Sequence, residues 1–226
     1  MVETPQLSYH VLQLNDRVAP LDNLDVRLAL QCAIDRQVVL DTAALGEGEV
    51  TGPITSPAYR SDPNARPCPT RDLDAAKAHL TAAGYPDGLT LPLLVSQGEY
   101  ATSVAEAQSV QAQLAEAGIT VELEVTDIDT YIDKWLAADF TTAIALNGGR
   151  PDPDGMYGRY YQHRQLNKVA GFSSPELDAL PAKGKATSDV DARGEHLRGD
   201  LQAPRGQRGA DLAVHQLQLH GHDSRT

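Results

Sequence analysis

Ile119-Thr120-Val121-Glu122-Leu123-Glu124-Val125-Thr126 is the stretch that decides the fold. Ile119, Val121, Leu123 and Val125 fall on one side of an extended chain, and Thr120, Glu122, Glu124 and Thr126 on the other. That two-residue period predicts a half-exposed strand. Just before it, Val104, Ala107, Val110 and Leu114 recur at helical spacing through about Ala101 to Ala117, and Gly118 stops that helix. Just after it, Ile128, Tyr131, Ile132, Trp135 and Leu136 share one side of a short helix, and Thr141 to Leu146 reads as the next strand.

The same alternation continues toward the N-terminus. Asp87-Gly88 is a turn pair feeding a strand from Leu89 to Val95, where Pro92 predicts an edge or a bulge. Asp72 suits the N-cap of a helix carrying Leu73, Ala76 and Leu80 on one face, with Gly84 as its end. Gly46 to Pro69 is rich in Gly, Pro, Ser and Asn and reads as a long ordered loop. Before it, Val26, Ala29, Leu30, Ala33 and Ile34 form the apolar stripe of a helix from about Asp25 to Arg36. A second helical stretch runs from about Arg36 to Leu45, with Gly46 placed to stop it. Helices and strands in this order predict an α/β layer structure, with helices packed on a mixed sheet.

Bulk properties narrow the function. The 226 residues are 41% hydrophobic and 22% charged, ordinary values for a globular protein. Aromatic residues make up 5%, so Ala, Leu and Val must build most of the core. A formal net charge of −12 opposes nucleic acid as a partner, because phosphates need a basic footprint. No stretch is long and apolar enough to span a bilayer. Met1-Val2-Glu3-Thr4-Pro5 lacks the basic and apolar regions of a signal peptide, so the chain as written is expected to stay in the cytoplasm. Cys32 lies on an Ala/Leu-rich helix and reads as a buried thiol acting as a small hydrophobe. Whether it bonds to Cys68 is left open by the sequence.

In α/β sheets ligands bind at the loops leaving the carboxyl ends of strands. The loop after Leu146, Asn147-Gly148-Gly149-Arg150-Pro151-Asp152-Pro153-Asp154, is therefore the first candidate site. Gly148 and Gly149 let backbone amides approach a ligand, Arg150 can pair with a carboxylate or phosphate, and Asn147 can donate and accept. Asp152 shapes the loop; equally, Asp152 or Asp154 can serve as a cap for the helix of Met156, Tyr160 and Tyr161. Ser96-Gln97-Gly98-Glu99-Tyr100 leaves another strand end, so Gln97 and Tyr100 are candidates to edge the same cleft, or members of an ordinary connection. Tyr157, Tyr160 and Tyr161 fit packing better than stacking on a ligand. His215, His220 and His222 lack companion cysteines and acidic ligands at metal-site spacing, so no metal or cofactor is expected. Glu122 and Glu124 read as a solvated face, and no nucleophile elbow, phosphate loop or dinucleotide fingerprint is present, so no catalytic residue is assigned.

Several segments, in order, resemble one family. They are Pro20-Leu21-Asp22 with Asp25-Val26-Arg27-Leu28-Ala29-Leu30 and Ala33-Ile34-Asp35-Arg36, then Asp74-Ala75-Ala76-Lys77-Ala78-His79-Leu80 with Ala83-Gly84-Tyr85-Pro86-Asp87-Gly88. Gln113-Leu114 with Ala117-Gly118-Ile119-Thr120-Val121, the Pro151 to Asp154 turn, and Gly171-Phe172-Ser173-Ser174-Pro175-Glu176-Leu177-Asp178 complete the set. Collinear from about Leu12 to Arg193, they resemble the oligopeptide/dipeptide/nickel-binding receptors of ABC importers, extracytoplasmic solute-binding protein family 5. The resemblance implies a lobe of a two-lobed, type II periplasmic-binding-protein-like fold that closes on its ligand. It also implies an exported receptor, often lipid-anchored, that takes a small-molecule or peptide ligand and hands it to a membrane permease. In peptide-binding members an acidic residue just before the turn holds the ligand's amino group; here Gly148-Gly149 stands in that place. By this reading residues 1–165 form the second lobe and 166–193 a partial return toward the first lobe. The first lobe and the export signal are expected to precede Met1.

Residues 194–226 are expected to be an irregular tail. Pro181 interrupts the helix that begins near Ser174, and after Arg193 five glycines and four of the seven histidines change the character of the chain. A shift of reading frame near Arg193-Gly194 accounts for this: synonymous codons for Val214 to His220 exist that read Phe-Thr-Ser-Tyr-Asn-Tyr one base later. The alternative is a natural disordered tail. For the whole chain, the competing functional readings are a small stand-alone α/β hydrolase using the same loop, and an inert truncated gene product.

Overall fold

The computed structural model describes residues 9–50, 55–56, 59–60, 66–98, 101–147 and 216–221. Its centre is a five-stranded mixed sheet in the order β5-β4-β6-β1-β7. The strands are β1 (Tyr9–Leu14), β4 (Leu89–Ser96), β5 (Ile119–Thr126), β6 (Thr142–Asn147) and β7 (Gln216–Gly221). β4 runs parallel to both β5 and β6, whereas β1 is antiparallel to β6 and β7.

Two layers of helices enclose it. On one face lie α1 (Leu24–Ala33), α3 (Leu73–Ala82) and α4 (Ser103–Glu116). Val26, Ala29, Leu30, Ala76, Leu80, Ala107, Val110 and Leu114 there meet Leu12, Leu14, Leu91, Leu93, Val95, Ile119, Val121 and Ile144 of the sheet. On the other face α5 (Ile128–Ala137) sets Tyr131, with Ile128 and Trp135, against Leu94, Ala143 and Phe140. The alternation of a strand explains the split, since odd residues of β4 face the first layer and Leu94 the second.

Polar caps set the helix starts. Asn23 accepts the amide of Asp25 at α1, Asp72 that of Ala75 at α3 and Asp127 that of Thr130 at α5. The helical run through Arg36 divides into two. At Asp35 the backbone is extended, and its carboxylate accepts the amides of Gln37 and Val38 to open α2 (Arg36–Ala43). The helix ends before Gly46, and Leu45 as well as Gly46 adopts positive φ. Gly88 and Gly118, both at positive φ, cross closely where β4 and β5 begin; a Cβ on Gly88 would sit 2.0 Å from the Gly118 carbonyl oxygen.

Four expectations change. Pro92 lies in an interior strand, not at an edge. The Leu89 and Gln97 amides both bond toward β5, so odd amides of β4 face β5 and an amide at 92 would face the β6 side. Pairing with β6 starts only at Leu93, so no ladder bond is lost. Within Gly46 to Pro69 a short hairpin forms, with β2 (Thr55–Ser56) antiparallel to β3 (Tyr59–Arg60). Residues 216–221 of the expected irregular tail form β7 beside β1. Finally, Cys32 is not a free thiol but is bonded to Cys68, with Cα atoms 5.0 Å apart. The loop is drawn to the end of α1 by the Asp72 amide on the Cys32 carbonyl at 2.8 Å and the Arg71 Nε on the Ala33 carbonyl at 2.8 Å.

Candidate functional site

Because β4, β5 and β6 are parallel, their carboxyl ends open on one edge of the sheet, at Ser96-Gln97, Thr126-Asp127 and Asn147. β1 begins at that edge, with Tyr9 opposite Asn147 and Gly221 of β7. From β4 the chain passes to α4 on one face; from the adjacent β5 it passes to α5 on the other. Adjacent parallel strands whose connections depart to opposite faces leave a crevice at their carboxyl ends, where ligands of α/β proteins sit.

Ser96 and Thr126 are paired in register at this edge. Ser96 follows Leu94 on the α5 face, and Thr126 shares that face by the same alternation. The Ser96 Oγ and Thr126 Oγ1 are both buried and take no hydrogen-bond partner. A buried hydroxyl left unpaired costs free energy that a polar visitor or a water can return. Nothing in the local sequence marks these two residues. The signal lies in the register of two strands separated by a helix.

Of the residues expected to bind ligand, the structure brings Gln97 and the end of β6 at Asn147 to this one edge. Gln97 is exposed, and its amide donates to the Thr126 carbonyl at 2.8 Å, which pins the start of its loop. The β4–β6 ladder is confined to Leu93–Leu94 against Thr142–Ala143, so it stops short of both candidates. Tyr100, Gly148, Gly149, Arg150 and Asp152 lie outside the described residues, as do Tyr157, Tyr160, Tyr161, His215 and His222.

Under the edge, on the α4 face, His10 of β1 and Glu106 of α4 are 2% and 0% exposed, with Nδ1 and Oε1 2.9 Å apart. A carboxylate on Nδ1 is the orienting half of a nucleophile-activating arrangement. The other half is not supplied by the buried serines of this region, because Ser96 Oγ and Ser103 Oγ accept and donate no hydrogen bond. The pair therefore braces β1 against α4, two elements that border the edge. No group of three or more His, Cys, Asp or Glu among the described residues is placed to hold a metal ion.

A depression of about 240 Å³ lies elsewhere, near the amino end of β6. Pro92, Leu94, Phe140 and Thr142 line it, together with Lys134 and Glu124, which form an ion pair. Expected as a solvated face, Glu124 is partly covered by this contact, and its carboxylate holds the Lys134 ammonium above the usual lysine range.

Fold and edge together define one lobe of a two-lobed periplasmic binding protein. The chain belongs to the bacterial extracellular solute-binding proteins, family 5, whose middle-region model matches residues 1–168. It is 30% identical over 205 residues to the periplasmic oligopeptide-binding protein OppA of Haemophilus influenzae, covering 84% of this chain and 37% of that protein. It is 32% identical over 129 residues to the glutathione-binding protein GsiB of Salmonella choleraesuis, covering 56% of this chain and 24% of that one. Among solved structures, the periplasmic binding protein AgaA from A. tumefaciens R10, in complex with agropinic acid, superposes with a TM-score of 0.81 at 26% identity. That match covers 96% of this chain and 44% of AgaA. The fold is shared with the dipeptide-binding protein of Pseudoalteromonas sp. SM9913, at a TM-score of 0.82 and 20% identity. The chain thus spans less than half the length of the relatives it matches.

Proposed function

We propose that the chain supplies one wall of the ligand cleft of an ABC-importer solute receptor, and that its carboxyl edge is that wall. The observation that carries this reading is the pair of buried hydroxyls without hydrogen-bond partners, Ser96 Oγ and Thr126 Oγ1, set in register at the carboxyl edge of β4 and β5 in a chain of this family. The mechanism is capture by hinge closure of two lobes followed by delivery to a membrane permease, with no covalent step. Asn147 and Gln97, with Tyr100, Gly148, Gly149, Arg150 and Asp152 next to them in sequence, are the ligand contacts of the proposal. Relatives that bind oligopeptides and dipeptides support a peptide, and AgaA with agropinic acid supports a small carboxylated solute. Gly148-Gly149, standing where peptide-binding members carry an acidic residue, favours the second. Catalysis has no place in it. The receptor works outside the cytoplasm, a location supported by the Cys32–Cys68 bond, since disulfides persist in oxidising compartments.

One wall without its counterpart gives weak binding, because closure adds the opposite contacts. Titration of the chain with di- to pentapeptides and with agropinic acid, followed by amide NMR, tests the site. Saturable shifts are expected at Gln97, Gly98, Thr126 and Asn147 at millimolar ligand. Ser96→Ala and Asn147→Ala are each expected to weaken them. Shifts confined to other surfaces, or no shift with any of these solutes, would overturn the assignment, and micromolar affinity would refute the need for a second wall.

A further inference from the structure

The Cys32–Cys68 bond has two unlike ends. Cys32 is 0% exposed, lies in the last turn of α1, and belongs to the buried apolar cluster with Ala29, Ala33, Ala76 and Leu80. Cys68 is packed against that cluster and is only partly buried, and the next residue, Pro69, is exposed. The bond therefore runs from the core toward the surface.

The chain just beyond Cys68 is held without it. The Asp72 amide donates to the Cys32 carbonyl at 2.8 Å, and the Asp72 carboxylate caps α3. Arg71 reaches two helix ends at once. Its Nε donates to the Ala33 carbonyl of α1 at 2.8 Å and its Nη2 to the Gln113 carbonyl of α4 at 3.1 Å. The same guanidinium pairs with the Glu116 carboxylate at 3.1 Å. These bonds tie the start of α3 to α1 and α4 whether or not the two sulfurs are joined.

A disulfide is opened by a thiolate that attacks one of its sulfurs and expels the other. An attack on Cys32 would carry a charged reagent into the apolar cluster, away from water and from any partner. Cys68 is the end nearer solvent. Attack there expels Cys32 into the cluster, at the negative end of α1, whose last turn carries no basic residue. The Arg71 guanidinium on the Ala33 carbonyl offsets part of that field. A thiolate released in such a place leaves slowly and re-attacks readily, so the closed bond is favoured.

We infer that Cys68 is a modification site, the end at which a low-molecular-weight thiol exchanges with the bond, and that Cys32 is the buried partner that closes it again. In the step, the reagent thiolate bonds to Cys68 Sγ and the Cys32–Cys68 bond breaks. Its electron pair stays on Cys32 Sγ, which takes up the proton the reagent thiol gave to water. The reagent sulfur is oxidised and Cys32 reduced, with no other oxidant. The reverse step expels the reagent and restores the disulfide. Because Arg71 and Asp72 keep α3 anchored, the lobe stays folded through the cycle.

Incubating the intact chain with excess glutathione, in native buffer and in urea, tests this; acid quenching and peptide mapping by mass spectrometry locate the adduct. In native buffer the mixed disulfide is expected on Cys68, with Cys32 as a free thiol, and adducts on Cys68 should exceed those on Cys32 at least about ten-fold. In urea the two should agree within about two-fold, since burial no longer separates them. Single-cysteine variants isolate access from the leaving group. Iodoacetamide should modify Cys68 in Cys32→Ala at least about ten-fold faster than Cys32 in Cys68→Ala, and the difference should vanish in urea. The proposal is overturned by native adducts on Cys32 or shared equally, by a native chain that forms no adduct where the urea-treated chain does, or by equal native rates in folded variants.

Discussion

Breaking the Cys32–Cys68 bond is the most direct perturbation of this lobe, and its size follows from chain statistics. The bond closes a loop with a sequence separation of 36. A cross-link of that span removes about 13 cal/mol/K from the entropy of the unfolded chain, or about 4 kcal/mol at 25 °C. In a chain of this size about 4 kcal/mol corresponds to a drop in Tm of roughly 8–16 °C. Cys32 is fully buried among Ala29, Ala33 and the α3 side chains, so Ala is the better replacement; Ser would bury a hydroxyl there. The assay is urea unfolding of wild type, of the Cys32→Ala/Cys68→Ala variant, and of wild type in a reductant, with the thiol state read by mass spectrometry. The midpoint should fall in both treated samples, and the slope m should rise because the uncross-linked chain exposes more surface when unfolded. Equal midpoints and slopes, with both cysteines shown to be reduced, would refute the loop-closure reasoning and remove the support the bond gives to an extracytoplasmic location.

Two further outcomes are expected. Gly88→Ala puts a methyl 2.0 Å from the Gly118 carbonyl oxygen at φ +91, so it should destabilise by about 3 kcal/mol or more. Gly118→Ala, with its nearest neighbour 3.8 Å away, should cost only the backbone strain, about 1–2 kcal/mol; thermal unfolding of the pair distinguishes a clash from φ alone. For Asp127, hydrogen bonds from the Thr130 amide and hydroxyl hold the carboxyl below its usual value of 3.8. A lowered folded-state pKa means the cap's contribution is present above that value and is lost as pH falls through the folded pKa. Asp127→Asn, which caps without titrating, should therefore flatten the acid limb of the stability–pH curve, and an unchanged limb would contradict the assignment.

Local elements were legible where periodicity and burial agree. Strand β5 and helices α3, α4 and α5 follow directly from two- and 3.6-residue patterns. β1 does not announce itself, because all six of its residues are buried, on both faces, and His10 and Gln13 interrupt any apolar run. Their polar atoms are met by partners remote in sequence, Glu106 for His10 and the Trp135 indole for Gln13 at 2.7 Å. β7 does alternate, with Leu217 and Leu219 set between Gln216, Gln218 and His220, yet its pairing with β1 spans most of the chain and no local pattern encodes such a partner. The disulfide obeys the same rule, since spacing in sequence said nothing of the 5.0 Å that tertiary packing leaves between its Cα atoms.

The site divides along that line too. Gln97 and Asn147 could be named because each follows a recognisable strand, and strand ends in α/β sheets have a known use. Ser96 and Thr126 could not, because their meaning depends on three facts the local sequence does not hold: that β4 and β5 are neighbours, that they are parallel, and that their register sets these two hydroxyls opposite each other. The chain then leaves β4 and β5 for helices on opposite faces of the sheet. A crevice of this kind is a property of chain topology, and its chemistry is set by whichever residues the register brings to the edge. A shared fold therefore fixes where such an edge lies but not which side chains stand on it.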